Sequence, residues 1–301
     1  MVWVQNKSQI KAEEKTVLRP RIILRLSLAK FYMSLRSLMN FSIHQASHAG
    51  NRNYNQDRVA YSYSSEALLM VLADGMGGHQ HGELAATMII ESFVRSFGKQ
   101  AQPRIADPGA FIPDTMSRAH RRIMRLPHDQ ATGGFPGSTC VAALIQDDTI
   151  YFGHAGDSRL YVLRDQAILS KTTDHSLVHQ WVKWGIINAE EARTHPQRNQ
   201  IISCLGGTQE TFHMEAGVAF TLHSGDVILL CSDGLWGAYT DEELSVAFAS
   251  RPIAQALDSL IERGFERQAG HSDNLTGVAL RWGDGEVSHP NVETINCILE
   301  I

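Results

Sequence analysis

Four aspartates in this 301-residue chain stand at the ends of apolar, strand-like runs. Leu68–Ala73 leads into Asp74-Gly75, and Val227–Cys231 passes through Ser232 into Asp233-Gly234. Tyr151–Gly156 ends on Asp157, and Asp273-Asn274 stands just ahead of the run Thr276–Trp282. A carboxylate at a strand end is held on rigid backbone while its oxygens face solvent. Four of them converging make a strongly negative pocket, unstable without a cation because like carboxylates a few ångströms apart raise one another's pKa. Ligands that are all carboxylate, carbonyl and water suit the hard cations Mg²⁺ and Mn²⁺ rather than zinc. A glycine at position 75 lets a backbone carbonyl approach such an ion without a Cβ in the way. Taken singly, each Asp-Gly is an ordinary turn. The set carries the signal.

Other chemistries fit less well. Asp74-Gly-Met-Gly-Gly-His79 has neither the G-x-x-x-x-G-K-[ST] nor the G-x-G-x-x-G pattern of a phosphate-cradling loop. The 14 histidines supply no H-x-x-x-H pair on an expected helix and read as surface or core residues. Cys140, Cys204, Cys231 and Cys297 are scattered without a C-x-x-C pair, the pattern of reduced core thiols rather than disulfides or a zinc site. A net charge of -5 argues against nucleic-acid binding through overall positive potential. No apolar run approaches the roughly 18 residues of a membrane span, so a cytoplasmic protein is expected.

The elements that must position the aspartates are mostly short strands. Glu66–Ala73 is one; Ser138–Ile145, Thr149–Ala155, Arg159–Leu163 and Ala167–Ser170 read as a meander. Ala219–Leu222, Val227–Cys231 and Thr276–Trp282 follow, and Phe41–Ser47 can supply a first strand. Helices fit Glu83–Phe97, stopped by Gly98, then Pro108–Leu126, Ser176–Trp184, Asp241–Ala249 behind a Thr240-x-x-Glu243 capping box, and Pro252–Gln268. Hairpin-rich strands with helices in long blocks predict an α+β layered sandwich: two mainly antiparallel sheets flanked by helices.

Composition, at 43% hydrophobic and 20% charged, excludes a disordered chain. Charge is uneven, for residues 1–39 hold eight Lys/Arg against two Asp/Glu. Within them Leu24, Leu28, Phe31, Leu35 and Leu38 recur at helical spacing, a basic amphipathic helix able to meet a membrane surface or partner through residues 20–39. The competing reading is a dispensable extension, with Met33 or Met39 as the true start. The expected organisation is an extension at 1–40, a catalytic domain at 41–285 and a tail at 286–301.

The ordered motifs resemble the metal-dependent PPM phosphatases (protein phosphatase 2C), in their bacterial form. Gly50-Asn-Arg52-Asn-Tyr-Asn55-Gln56-Asp57 is similar to the family's opening motif, and Asp74-Gly-Met-Gly-Gly-His79 with Gly82-Glu83 to its metal-binding segment. Gly137-Ser-Thr139, Gly156-Asp-Ser-Arg159, Thr173-Asp-His-Ser176, Ser232-Asp-Gly-Leu-Trp-Gly237 and Asp273-Asn-Leu-Thr276 follow in family order. The resemblance spans Phe41 to Trp282 and implies a small mobile flap opened by Asp174-His-Ser176.

By this resemblance Asp74 bridges two metal ions, with the Gly75 carbonyl completing one while Asp233 and Asp273 hold the other. Asp157, with Asp233, forms a weaker third site. Gln56 and Asp57 act from behind on metal-bound waters, and Arg52 binds phosphate through its planar fork. The bland alternative for Arg52 is a surface ion pair. Paired divalent ions acidify a bridging water for in-line attack on phosphorus. Two departures stand out. Gln56 replaces the Glu of many relatives and supplies no charge, and Met76 stands where eukaryotic relatives carry a histidine proposed as general acid. The implied activity is Mn²⁺- or Mg²⁺-dependent hydrolysis of phosphoserine and phosphothreonine in proteins, opposing a Ser/Thr kinase. A phosphoprotein-binding pseudophosphatase and a small-molecule phosphatase are the alternatives.

Overall fold

The computed structural model describes residues 39–76, 80–126, 135–208, 212–287 and 295–298. The amphipathic segment expected over residues 20–39 therefore lies outside the described residues except for Met39, and His79 lies outside them too.

The strands in chain order are β1 (Asn40–His48), β2 (Asp57–Tyr63), β3 (Ala67–Met76), β4 (Gly137–Ser138), β5 (Cys140–Gln146), β6 (Thr149–Ala155) and β7 (Arg159–Arg164). They continue with β8 (Ala167–Lys171), β9 (Leu205–Gly206), β10 (Glu215–Thr221), β11 (Val227–Cys231), β12 (Leu275–Val287) and β13 (Ile295–Ile298). One sheet has the order β1-β12-β11-β7-β8. The other runs β10-β6-β5-β3-β2-β13, with β4 and β9 attached beside β3. Every pairing among the described residues is antiparallel.

Side-chain alternation explains the layering. In β3, Leu69, Val71 and Ala73 point to one face and Leu68, Met70 and Leu72 to the other, and all six are fully buried. A strand apolar on both faces needs a layer on each side. The first set packs under the helices Gln80–Gln100 and Pro108–Ile123, with Phe93, Phe97 and Phe111. The second meets Ile228, Leu230, Val278 and Leu280 of the opposite sheet. Val227, Leu229 and Cys231, on the other face of β11, pack under the helices Asp241–Ala247 and Ile253–Arg267. The result is the expected α-β-β-α sandwich. Each fully buried Leu, Ile or Val is worth about 1.5–3 kcal/mol of transfer free energy, which holds the strands in register.

Several local expectations change: the strand expected at Ala219–Leu222 is Glu215–Thr221, and Ser138–Ile145 divides into Gly137–Ser138 and Cys140–Gln146. Gly98 does not stop the first helix, which continues to Gln100. Phe97 is buried on the core face, Ala101 N–H still reaches its carbonyl, and a Cβ at position 98 would meet nothing within 4 Å. The second helix ends at Ile123 rather than Leu126, its last turn closing through Met124 N–H to His120 O. Within the stretch expected to form a tail, β12 runs on to Val287 and β13 pairs with β2. The segment expected as a flap carries two short helices, Leu177–Lys183 and Ala189–Thr194, and Ser176 bridges to Ile201.

Candidate active site

The aspartates collect at one end of the inter-sheet core. Asp57 opens β2 and Asp74 lies near the end of β3, and the two are direct partners in the ladder. Across from them Asp233 follows β11 by two residues, and Asp273 stands two residues before β12. Asp157 lies in the connection from β6 to β7, where the chain passes from one sheet to the other.

One cleft is lined by Arg52, Gln56, Asp74, Gly75, Met76, Asp157, Asp233 and Asp273, among others. Asp57 stands behind this row, 0% exposed. Asp157 is 3% exposed. All the residues singled out from the sequence are thus brought together, with Asp57 set behind the rest.

Hydrogen bonds to backbone fix the row. Thr139 grips Asp74 twice: the Asp74 amide donates to Thr139 Oγ1 at 3.0 Å, and the Thr139 amide donates to Asp74 O at 2.9 Å. Ser138 Oγ donates to the same carbonyl at 2.9 Å. Asn274 ties the opposite side, accepting from Gln56 N at 2.8 Å while its amide donates to Ala49 O and Tyr54 O. Gly75 is required for a reason beyond ion access, since a Cβ there would sit 2.3 Å from Gly82 O. Gly82 is equally confined, its notional Cβ meeting Gln56 Nε2 at 2.7 Å and Gly75 C at 2.8 Å.

Crowding marks the electrostatics. Burial pushes Asp57 up to about 7, with the Ser232 and Thr276 hydroxyls pulling down and Asp233 and Asp273 pushing further up. Asp74 is driven well above the usual carboxylate range by burial and then by Asp57 and Asp233. Burial and Asp233 do the same to Asp157. Asp233 rises to about 6, chiefly through burial and Asp273, while hydrogen bonds to Gly234 N–H and Asp74 oppose the rise. Asp157 Oδ1 is buried with no hydrogen-bond partner. An orphaned buried oxygen in an all-oxygen donor set fits hard divalent cations with their waters.

Arg52 stands exposed at the rim, and its Nη2 donates to Asp273 Oδ2 at 2.7 Å. The ion pair therefore exists, but its partner is a member of the aspartate row. Met76 lines the same cleft and pairs with Gly137.

Several contributors escaped the sequence reading. Arg159 forks onto Asp174 through two 2.8 Å bonds and lies 3.4 Å over the Trp236 ring, whose Nε1 donates to Asp157 O at 2.9 Å. That set couples the start of the flap segment to the Asp157 loop. Asn199 and Ile201 line the cleft from the far end of the flap segment, with no local signal. The helix Ala189–Thr194 did leave a signal, the capping box Asn188-x-x-Glu191.

A family model described as Protein phosphatase 2C matches residues 44–275. The protein phosphatase PhpP of Streptococcus pneumoniae is 32% identical over 231 residues, 76% of this chain and 92% of its own length. Among solved structures, the serine/threonine phosphatase of S. agalactiae is 29% identical with a TM-score of 0.70, covering 80% of this chain and 99% of that one. The catalytic domain of the protein phosphatase PstP in complex with two manganese ions is 28% identical with a TM-score of 0.68, covering 82% of this chain and 100% of that one.

Proposed function

We infer the reaction of this site from one premise: the chain belongs to the protein phosphatase 2C family. It is a metal-dependent phosphatase of phosphoserine and phosphothreonine in proteins. The observation that carries the assignment of roles is the convergence of Asp74, Gly75, Asp157, Asp233 and Asp273 on a single cleft with Arg52 at its rim.

Asp74 and the Gly75 carbonyl would hold one Mn²⁺ or Mg²⁺ ion, and Asp74, Asp233 and Asp273 a second. Asp157 with Asp233 would take a weaker third. When bound, such ions supply an acidified water and neutralise charge on the phosphoryl oxygens. The chain's own groups do the rest. Arg52 binds two non-bridging phosphate oxygens with its fork, for which Asp273 holds it ready at the cleft edge. Asp57, buried behind the row, acts on the waters there by accepting hydrogen bonds at its carboxylate oxygens. Gln56 orients water by hydrogen bonding, without charge. Met76 donates no proton, so the leaving alkoxide takes one from water or another group.

The opposing enzyme in this reading is a Ser/Thr kinase, and the compartment is the cytoplasm. Among the described residues no helix is long and apolar enough to cross a membrane. The test is phosphate release from a phosphothreonine peptide with and without Mn²⁺. Mn²⁺-dependent release is expected. Binding of the peptide without any release would leave a pseudophosphatase.

A further inference from the structure

A second group of metal-ligating side chains lies among the described residues, built from no residue of the aspartate row. His154, His175 and Glu215 each offer a ligand atom, and these atoms lie within 4.8 Å of one another. They come from three places in the chain. His154 is in β6, Glu215 is its direct ladder partner in β10, and His175 immediately precedes Ser176, which caps the first helix of the flap segment.

The decisive detail is His154. It is 0% exposed, and its Nε2 is 2.9 Å from the Thr173 carbonyl, a contact that requires the proton on Nε2. That tautomer leaves a bare lone pair on Nδ1, which is buried and has no hydrogen-bond partner. A ring nitrogen bonded to a backbone carbonyl while its opposite nitrogen is free is how metal-binding histidines are oriented. The second imidazole is close, its ring stacked on that of His154 with centroids 4.5 Å apart. His175 Nδ1 makes only a long 3.4 Å contact with Gly156 N–H, which a coordinate bond can replace. Burial lowers the pKa of both imidazoles, that of His175 to about 4, so both are neutral ligands near pH 7. Glu215 is exposed, which gives an ion its way in and supplies the one anionic ligand.

We propose that His154, His175 and Glu215 form a site for a single borderline transition-metal ion of the Zn²⁺ class, braced between β6, β10 and the start of the flap segment. Two imidazoles and one carboxylate suit zinc and its neighbours, whereas Mg²⁺ and Mn²⁺ prefer oxygen donors. The aspartate row and this triad therefore differ in the metal that they select. Three protein ligands leave a fourth position for water. Because His175 adjoins the helix cap at Ser176, an ion here pins the flap segment to the sheet at its root.

The test uses the untagged full-length chain in saturating Mg²⁺, titrated with Zn²⁺ by calorimetry and examined by zinc X-ray absorption. One Zn²⁺ per chain with an imidazole scattering signature is expected. Glu215→Gln, at an exposed position that leaves the core intact, should weaken that binding at least about tenfold, the lower end of what loss of an outer partner costs a metal site. His154→Gln should cut the imidazole signature to that of one ring or lower. Hydrogen exchange over residues 174–202 should slow when Zn²⁺ is added to the native chain and not in Glu215→Gln. Zinc held by oxygens alone, or binding undiminished in Glu215→Gln, would overturn the site. Unchanged exchange with zinc bound would overturn the bracing.

Discussion

Arg52 Nη2 donates to Asp273 Oδ2 at 2.7 Å, so the cation assigned to phosphate and a carboxylate assigned to metal hold one another. Both side chains are substantially exposed, 61% and 34%, and an exposed pair of this kind is worth about 0–1 kcal/mol. It therefore orients the guanidinium without locking it, and a phosphate dianion can outcompete one carboxylate oxygen for the fork.

Arg52→Ala should raise KM for a phosphothreonine peptide roughly tenfold or more, the value of about one charge-assisted contact. Calorimetry should show Mn²⁺ affinity little changed. Arg52→Lys should recover only part of the loss, because an ammonium lacks the planar fork. A variant that lost Mn²⁺ binding but kept its KM would contradict the role.

Asp74→Asn and Asp233→Asn should each lower turnover by at least about 10²-fold at saturating Mn²⁺, the scale of removing one preorganised electrostatic element. Both changes keep shape and remove charge from a row that repels itself, so circular dichroism and thermal unfolding should show a folded chain. Near-native turnover in either variant would remove that residue from the metal set.

Stripping divalent ions should make stability fall as pH rises. Asp57 and Asp233 have pKa values raised to about 7 and 6 in the folded chain, against about 3.9 unfolded. The folded state thus binds more protons than the unfolded state across that interval, and its advantage shrinks from about pH 4 up through about pH 7. Thermal unfolding in chelator from pH 5 to 8 should show Tm declining, and saturating Mn²⁺ should flatten or reverse the trend. A chelated chain whose Tm rises over this range would refute the crowded-carboxylate account.

Met76→Ala should leave the chemical step nearly unchanged, because a thioether has no proton to give. A positioned general acid is typically worth about 10²–10⁴ in rate. His79→Ala is the paired control. A hundredfold loss in that variant, with a phosphothreonine peptide but not with p-nitrophenyl phosphate, would make His79 the acid in place of water.

A chain beginning at Met39 should fold and keep activity. Met39 is 9% exposed and packs into the inter-sheet core, and β1 begins at the next residue. An insoluble or inactive product would show that the preceding residues are needed by the domain.

The sequence made the aspartate row legible because each member follows or precedes an apolar run, and strand ends are where rigid backbone meets solvent. Val227–Cys231 matches the observed strand end to end, since a run apolar on both faces permits little else, and Thr149–Ala155 matches too, bounded by the turn residues Asp147-Asp148 before it. Gly98 misled, because a glycine mid-helix costs only about 1 kcal/mol and buried Phe97 outweighs it. The Arg52–Asp273 and Arg159–Asp174 pairs were illegible, being set by how two sheets and a loop meet rather than by local pattern. The group of His154, His175 and Glu215 was hidden for the same reason. His154 and Glu215 are 61 positions apart in sequence yet opposite one another in the ladder.

Asp57 and Asp74 face each other on two paired strands whose neighbours are core residues on both sides. A one-residue slip between β2 and β3 would turn Val59 from the inter-sheet core to the opposite face in the same stroke that parted the two carboxylates. A chain misregistered there would leave Asp74 without the carboxylate that stands behind it, even with the cleft's own ligands in place. Recovered turnover is accordingly a closer measure of natively registered molecules than bound manganese. In a refolding experiment, recovered turnover should track the recovered native fraction.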